Sequence, residues 1–300
     1  MNKTKYDFIN LNIVKDLQNL CYRIKPYKNN YLLDLDLNLI PDYFYKINPK
    51  KNKLINDFTN KNNLLKVYDV NRKLSKVMSK ISNKIQKNEY QNVAKLDEYF
   101  FKNICKENIF PSVLGYENFP KSSCISVNNI VCHGIPYEYK LQSGDIVKVD
   151  ICGYNGYHSD MANTFLIGKV SGEHKSLVKT TKDSLDNAIS ICKPGNLYSN
   201  IGKIIEKTTK DNGFTVIKGY RGHHIGNKIH LKPYISNIYE KTNEIMKVGD
   251  LFCIEPLLTI DNGDTYIDKD NNSVLTKDNK YSAHFERCIL ITESGHEILN

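Results

Sequence analysis

The chain reads as an α+β protein in which an antiparallel core sheet is covered by helices. Strand-like runs occur at "DIVKVDICGY", "YHSDMANTFLIG", "GFTVIKGY", "GDLFCIEPLLTI" and "AHFERCILIT". Apolar residues at helical spacing form two pairs of segments. The pairs superimpose at an offset of 104 residues, which matches Ile81 with Leu185, Ile85 with Ile189, Val93 with Leu197, Phe100 with Ile204 and Phe110 with Phe214. Such an offset predicts two similar αβ halves facing each other, with any site between them.

Residues 1–64 are rich in Lys, Asn, Asp and Tyr, and "YLLDLDLNLIPDYFYKINPKKNK" holds no sustained period. An N-terminal extension is expected there, with the folded domain over 65–300. Helical spacing then runs through Val70, Leu74, Met78, Ile81 and Ile85, and again through Leu96, Phe100 and Ile104. The second pair follows through Leu185, Ile189 and Ile191, then Ile201, Ile204 and Ile205.

Three hundred residues with a 40% hydrophobic fraction supply a substantial core. No run of about 18 apolar residues appears, and "MNKTKYDFINLNIVKDLQNL" lacks the apolar centre of a secretory signal. Neither a membrane partner nor secretion is therefore expected. Asp7 and Asp16 oppose a transit peptide. The eight cysteines show no C-x-x-C pair, and several sit in apolar segments where a reduced thiol packs as a small hydrophobe. A reducing, cytoplasmic location is expected, with plastid or mitochondrion as the alternative. The net charge of +9 arises from lysine spread along the chain, arginine standing only at 23, 72, 221 and 287. Composition explains that charge without a specific nucleic-acid partner.

Within the strand-like runs, acids stand where apolar residues belong: Asp150 in "IVKVDIC", Glu255 in "LFCIEPLL", Glu286 in "AHFERCILI" and Asp160 in "YHSDMANT". Each alone fits an outward-facing edge position. Four together do not, because a buried unpaired carboxylate costs several kcal/mol. "GYNGY" supplies an Asn-Gly turn that folds residues 146–168 into a hairpin. A three-residue loop over 154–156 sets residue 150 opposite 160 and puts both carboxylates on one face. A two-residue loop sets 150 opposite 161 and separates them. Four convergent carboxylates with an imidazole from "RGHHIG" form an oxygen-rich site suited to two divalent ions, and hence to hydrolysis.

These residues resemble those of the type I methionine aminopeptidases of the pita-bread fold. The likeness is carried by "FPSVLGYENFPKSSCISVNNIVCHGIP", "GDIVKVDICGYNGYHSDMANTFLIG", "GHHIG" followed by "IHLKP", "FCIEPLL" and "SAHFERCILIT", in the family's order from about residue 66 to the C-terminus. It implies a pseudo-symmetric antiparallel sheet covered by helices, and a pair of divalent ions drawn from Co, Mn, Fe or Zn. Asp150 would chelate one ion, Asp160 and Glu286 would bridge both, and His223 and Glu255 would complete the ligands of the second ion. Glu255 also matches the general base. His133 matches the histidine beside the scissile amide, and His230 the one that meets the carbonyl oxygen and the developing oxyanion. Tyr116, Phe119 and Cys124 match the apolar slot for a methionine side chain.

The implied activity is removal of initiator methionine before a small second residue. Nascent polypeptide N-termini are the implied partners, the ribosome is a candidate contact, and a monomer is expected. The chain departs from the family at His224, which replaces a glycine and should point away from the metals. It departs again at Arg287, which replaces a histidine, and at Asn271–Asn272, where a tryptophan is usual. Proline-directed peptidases of the same fold share the five ligands but usually carry a folded N-terminal domain and lack "CHGIP" in this setting. A non-catalytic binding module is the third reading, opposed by the intact ligand set.

Overall fold

A computed structural model describes residue 58 and residues 60–87 and 92–300. The expectation of an extension therefore falls almost wholly outside the described residues. Helix α1 (Lys61–Gln86) is capped by the Asn60 side chain, which accepts the Asn62 N–H, so it starts ahead of the expected boundary at 65. Its predicted stripe, Val70, Leu74, Met78, Ile81 and Ile85, is buried. Helix α2 (Val93–Lys106) starts where Asn92 accepts the Lys95 N–H, and it buries Leu96, Phe100 and Ile104. Strands β1 (Phe110–Pro111), β2 (Cys124–Val127), β3 (Ile130–Cys132), β4 (Ile146–Tyr154) and β5 (His158–Leu166) follow. The stripes of both helices pack on Ile125, Val127, Val147, Val149, Ile151 and Met161 of β2, β4 and β5. Each such aliphatic side chain contributes about 1.5–3 kcal/mol on burial.

The second half repeats the plan. Helix α3 (Gly172–Ser190) is capped by Ser171 and helix α4 (Ser199–Asp211) follows it. Strands β6 (Thr215–Val216), β7 (Arg221–His224), β8 (Leu231–Ser236), β9 (Leu251–Ile254), β10 (Leu257–Thr259), β11 (Thr265–Ile267), β12 (Val274–Thr276), β13 (Ser282–His284), β14 (Arg287–Thr292) and β15 (Gly295–Ile298) complete the described chain. Leu185, Ile189, Ile201 and Ile205 join Ile235, Phe252, Ile254, Leu258 and Ile289 in a second apolar cluster. Each helix pair thus covers its own core, as the offset of the two sequence halves anticipates.

The single sheet expected from the sequence is divided. β4 pairs with β5 on one side and with β1 and β2 on the other, while β15-β14-β9-β7-β8 forms a five-stranded sheet. Two three-stranded sheets, β13-β10-β6 and β11-β12-β3, lie beside them, and all pairing is antiparallel. The runs "GDLFCIEPLLTI" and "AHFERCILIT" each break at their acid. β9 belongs to one sheet and β10 to another, with Glu255 between them, and Glu286 separates β13 from β14 in the same way. Pro256, which follows Glu255, has no N–H to extend a ladder.

The β4–β5 hairpin also corrects the expected register. Its loop has three residues, but they are 155–157, because Tyr154 pairs with His158. Asp150 therefore faces Ala162, and Asp160 faces Cys152. The shift follows from Tyr157, which is buried against the Phe58 ring at 5.6 Å instead of extending the strand. Because the loop length is odd as expected, both carboxylates still project from one face. Gly156 takes the positive φ of 106° that the turn requires.

Candidate metal centre

Five predicted residues converge where the hairpin meets the five-stranded sheet. Asp150 and Asp160 come from β4 and β5, His223 from β7, and Glu255 and Glu286 from the two junctions between sheets. An isolated bridge between Ala162 and Glu286 joins hairpin to junction. The sequence places His223 by means of Gly222: a Cβ there would lie 2.2 Å from the Cys253 carbonyl oxygen, so only glycine lets β7 lie this close to β9.

The electrostatics are those of acids held together against repulsion. Asp160 and Glu286 are 5% and 3% exposed. Burial pushes the Asp150 carboxyl up to about 7. Asp160 is raised by burial and by Glu286 and Asp150, Glu255 by burial and by Asp160 and Asp150, and Glu286 by burial and by Glu255 and Asp150. His223 is driven by burial, and then by His230, down to about 3, so its ring is neutral and free to donate a lone pair. Its Nε2 stands 3.7 Å from Glu255 Oε1, and its Nδ1 lies 3.1 Å from the His224 carbonyl oxygen, which fixes the ring.

A divalent cation fits this donor set. Asp150 Oδ1 is buried without a hydrogen-bond partner. Asp150, Cys152 and Asp160 place ligand atoms within 4.8 Å of one another, as do His223, Cys253 and Glu286. A carboxylate-rich set with one neutral imidazole and nearby thiols suits hard or borderline ions.

Two cavities flank the centre. The first, about 120 Å³, is lined by Tyr116, Phe119, Cys124, Cys152, Ile229 and Asn272, with Asp150 and Asp160 at one end. The second, about 300 Å³, is lined by Tyr220, Arg221, His223, Tyr234 and Glu255. His133 and His230 line both, and both are exposed to the cavities. Tyr116 Oη lies 2.9 Å from His230 Nδ1, leaving Nε2 of that ring to face outward. His133 sits in the left-handed region at φ 53°, a conformation that costs energy and marks functional sites.

The structure brings together every predicted site residue, and the departures find places too. His224 Nε2 lies 2.8 Å from Tyr198 Oη and its ring stacks on Phe252, pointing away from the carboxylates as expected. Arg287 donates to the carbonyls of Ala162 and Glu286 and to Asn163 Oδ1, clamping the β5 bridge beside Glu286. Asn272 takes its place in the first cavity wall. Sequence reasoning missed Cys152, whose Sγ donates to Asp160 Oδ1 at 2.8 Å, although its position two residues beyond Asp150 puts it on the same strand face.

An antiparallel fold with two helix-covered halves and a buried carboxylate and imidazole cluster defines a protein built around divalent metal. Residues 66–293 match metallopeptidase family M24, and the chain belongs to that family. It is 42% identical over 206 residues to "Methionine aminopeptidase 1D, chloroplastic/mitochondrial" of Arabidopsis thaliana, covering 68% of this chain and 59% of that protein. It is 41% identical to the human "Methionine aminopeptidase 1D, mitochondrial", covering 68% and 62%. The chain thus spans less than two thirds of the length of these curated relatives. The crystal structure of methionine aminopeptidase from Rickettsia prowazekii superimposes with a TM-score of 0.76 at 31% identity, over 80% of this chain and 97% of that one.

Proposed function

We propose that this chain is a metal-dependent aminopeptidase that removes the initiator methionine from peptides with a small second residue. The observation that carries the reading is a cluster of four acids and His223 set between two cavities, with Asp150 and Asp160 lining a sulfur- and aromatic-lined one of about 120 Å³ and His223 and Glu255 lining the other. Cys124, Cys152, Tyr116 and Phe119 form a surface suited to a thioether. A small pocket beside the reacting centre suits one side chain, and the second cavity leads the rest of the peptide away past Tyr220 and Tyr234.

Two divalent ions, Co, Mn, Fe or Zn, would be held by Asp150, Asp160, His223, Glu255 and Glu286. When bound they polarise the scissile carbonyl and acidify water near neutral pH. Asp160 and Glu286, the most deeply buried of these acids, would be shared in holding the ions, and Asp150, His223 and Glu255 would complete the set. Glu255 borders the peptide cavity and serves as general base, taking a proton from water and returning it to the leaving amine. His133 and His230, exposed to both cavities, flank the scissile amide. Tyr116 orients His230 to meet the carbonyl oxygen as charge develops on it.

The catalytic domain is assigned to 65–300 and the extension to 1–64, supported by the family match over 66–293. Nascent chains are the proposed partners, the ribosome that presents them is a candidate contact, and a monomer is the proposed state, checked by light scattering. Organellar names among the relatives favour plastid or mitochondrion over the cytoplasm expected from sequence. With Mn²⁺ or Co²⁺ added, the protein should release methionine from Met-Ala-Ser and leave an X-Pro peptide intact. Glu255→Ala should cut the rate by roughly 10²–10⁴-fold. Cleavage confined to the X-Pro peptide would overturn the substrate assignment, and turnover indifferent to Glu255→Ala would overturn its role.

A further inference from the structure

Lys148 stands on β4 two residues before Asp150 and is only 1% exposed. Its Nζ donates to the Asn128 carbonyl at 2.6 Å, and to the Ser282 carbonyl and Oγ at 3.1 Å each. All three acceptors are neutral oxygens, so no carboxylate offsets the cost of burying this group, and burial pushes its pKa well below the usual lysine value. Asn128 closes β2 with a left-handed φ of 54°, and its carbonyl also accepts the Ser282 N–H at 3.1 Å. One side chain therefore ties together β4, the turn that leads through β3 to His133, and the strand that leads to Glu286.

The neighbours of Lys148 in the sheet act in the same direction. Ser126, Lys148 and Thr164 form one row across β2, β4 and β5. Ser126 Oγ accepts the N–H of Gly134, next to His133, at 3.0 Å. Thr164 Oγ1 accepts the N–H of His284 at 2.9 Å and donates to its carbonyl, two residues before Glu286. The next row on that face holds Cys124, Asp150 and Ala162. The row beneath the candidate metal ligands is thus a layer of side-chain-to-backbone ties, with Lys148 at its centre.

We propose that the Lys148 amino group is a built-in donor that positions Asp150 and Glu286, by holding the Asn128 and Ser282 backbones to β4. The proposal rests on the reading of those acids as metal ligands. Lys148 is a positioning residue, since it meets neither peptide nor ion. A methionine of similar length cannot donate to the three oxygens. The planar guanidinium of arginine does not match acceptors gathered around a single nitrogen. Shortening the side chain to alanine leaves a cage of neutral oxygens that a free cation of ammonium size satisfies.

The test uses the full chain, with Lys148→Met and Lys148→Ala, Mn²⁺ affinity by calorimetry, and hydrolysis of Met-Ala-Ser. Lys148→Met should weaken Mn²⁺ binding by about 10- to 100-fold and lower kcat with little change in KM. In Lys148→Ala, ammonium or potassium chloride should raise kcat about tenfold over lithium or tetramethylammonium chloride at equal ionic strength, with no such effect on the parent. If Lys148→Ala folds only in ammonium or potassium chloride, that dependence is the rescue. Parent-like Mn²⁺ affinity in Lys148→Met overturns the proposal, as does a Lys148→Ala protein whose folding and rate ignore cation size. A parent chain that binds no Mn²⁺ at all is a different result: it removes the metal reading and this proposal with it.

Discussion

Asp150 and Asp160 reach the centre from the middle of one hairpin, whereas Glu255 and Glu286 reach it from two places where the chain leaves one sheet for another. The hairpin acids are set by local chemistry: a three-residue loop, Gly156 at positive φ, and the alternation of a strand. The junction acids depend on pairings distant in sequence, Arg287 with Ile254 and Cys288 with Cys253, and on the close approach of β7 to β9 at Gly222. The two halves differ in what can displace their acids. The hairpin is vulnerable in its loop, and the junctions in their neighbours.

The strongest check on this comparison removes one acid from each half. Asp160→Ala and Glu286→Ala should each reduce hydrolysis by roughly 10²–10⁴-fold and abolish measurable Mn²⁺ binding. If either variant keeps the parent's affinity, the halves do not share one centre.

The next effect is on stability without metal. The folded carboxyls are raised by burial, Asp150 from 3.8 to about 7, so the folded state holds protons that the unfolded chain releases. The resulting stability is complete below the ordinary carboxylate value and is lost as pH rises through about 7. The melting temperature of chelator-treated protein should therefore fall between about pH 4 and pH 7, and Mn²⁺ should remove the slope. A melting temperature that rises over this range without metal contradicts the burial of these acids.

A smaller effect separates the two glycines. Gly222→Ala forces a Cβ to within 2.2 Å of backbone and should cost about 1–3 kcal/mol in thermal unfolding, with weakened Mn²⁺ binding as His223 moves. Gly156→Ala meets nothing within 4 Å and suffers only its positive φ, about 1 kcal/mol, with Mn²⁺ affinity kept. Equal loss of metal affinity in both would erase the distinction between local and long-range control.

The same distinction decides how much could be read in advance. Helical periods over Val70–Ile85 and Leu96–Ile104 were legible because one amphipathic stripe suffices to define a helix, and both are buried as expected. The common face of Asp150 and Asp160 was legible from the parity of the loop. The register was not, because the burial of Tyr157 against Phe58 is a tertiary contact. The breaks at Glu255 and Glu286 were hidden in continuous strand-like runs, since a change of sheet partner leaves no period behind. The identity of the four acids and the histidine came from family resemblance joined to the oddity of acids in apolar strands. Lys148 and Cys152 lay on the same strand face as Asp150, two residues to either side, and period-two reasoning applied to that strand finds them both.

The most direct measurement is anomalous diffraction from crystals of the chain loaded with Mn²⁺. Two peaks about 3.5–4 Å apart, enclosed by Asp150, Asp160, His223, Glu255 and Glu286, are the predicted result. Ions bound elsewhere, or a cluster that stays metal-free in saturating Mn²⁺, would contradict the account.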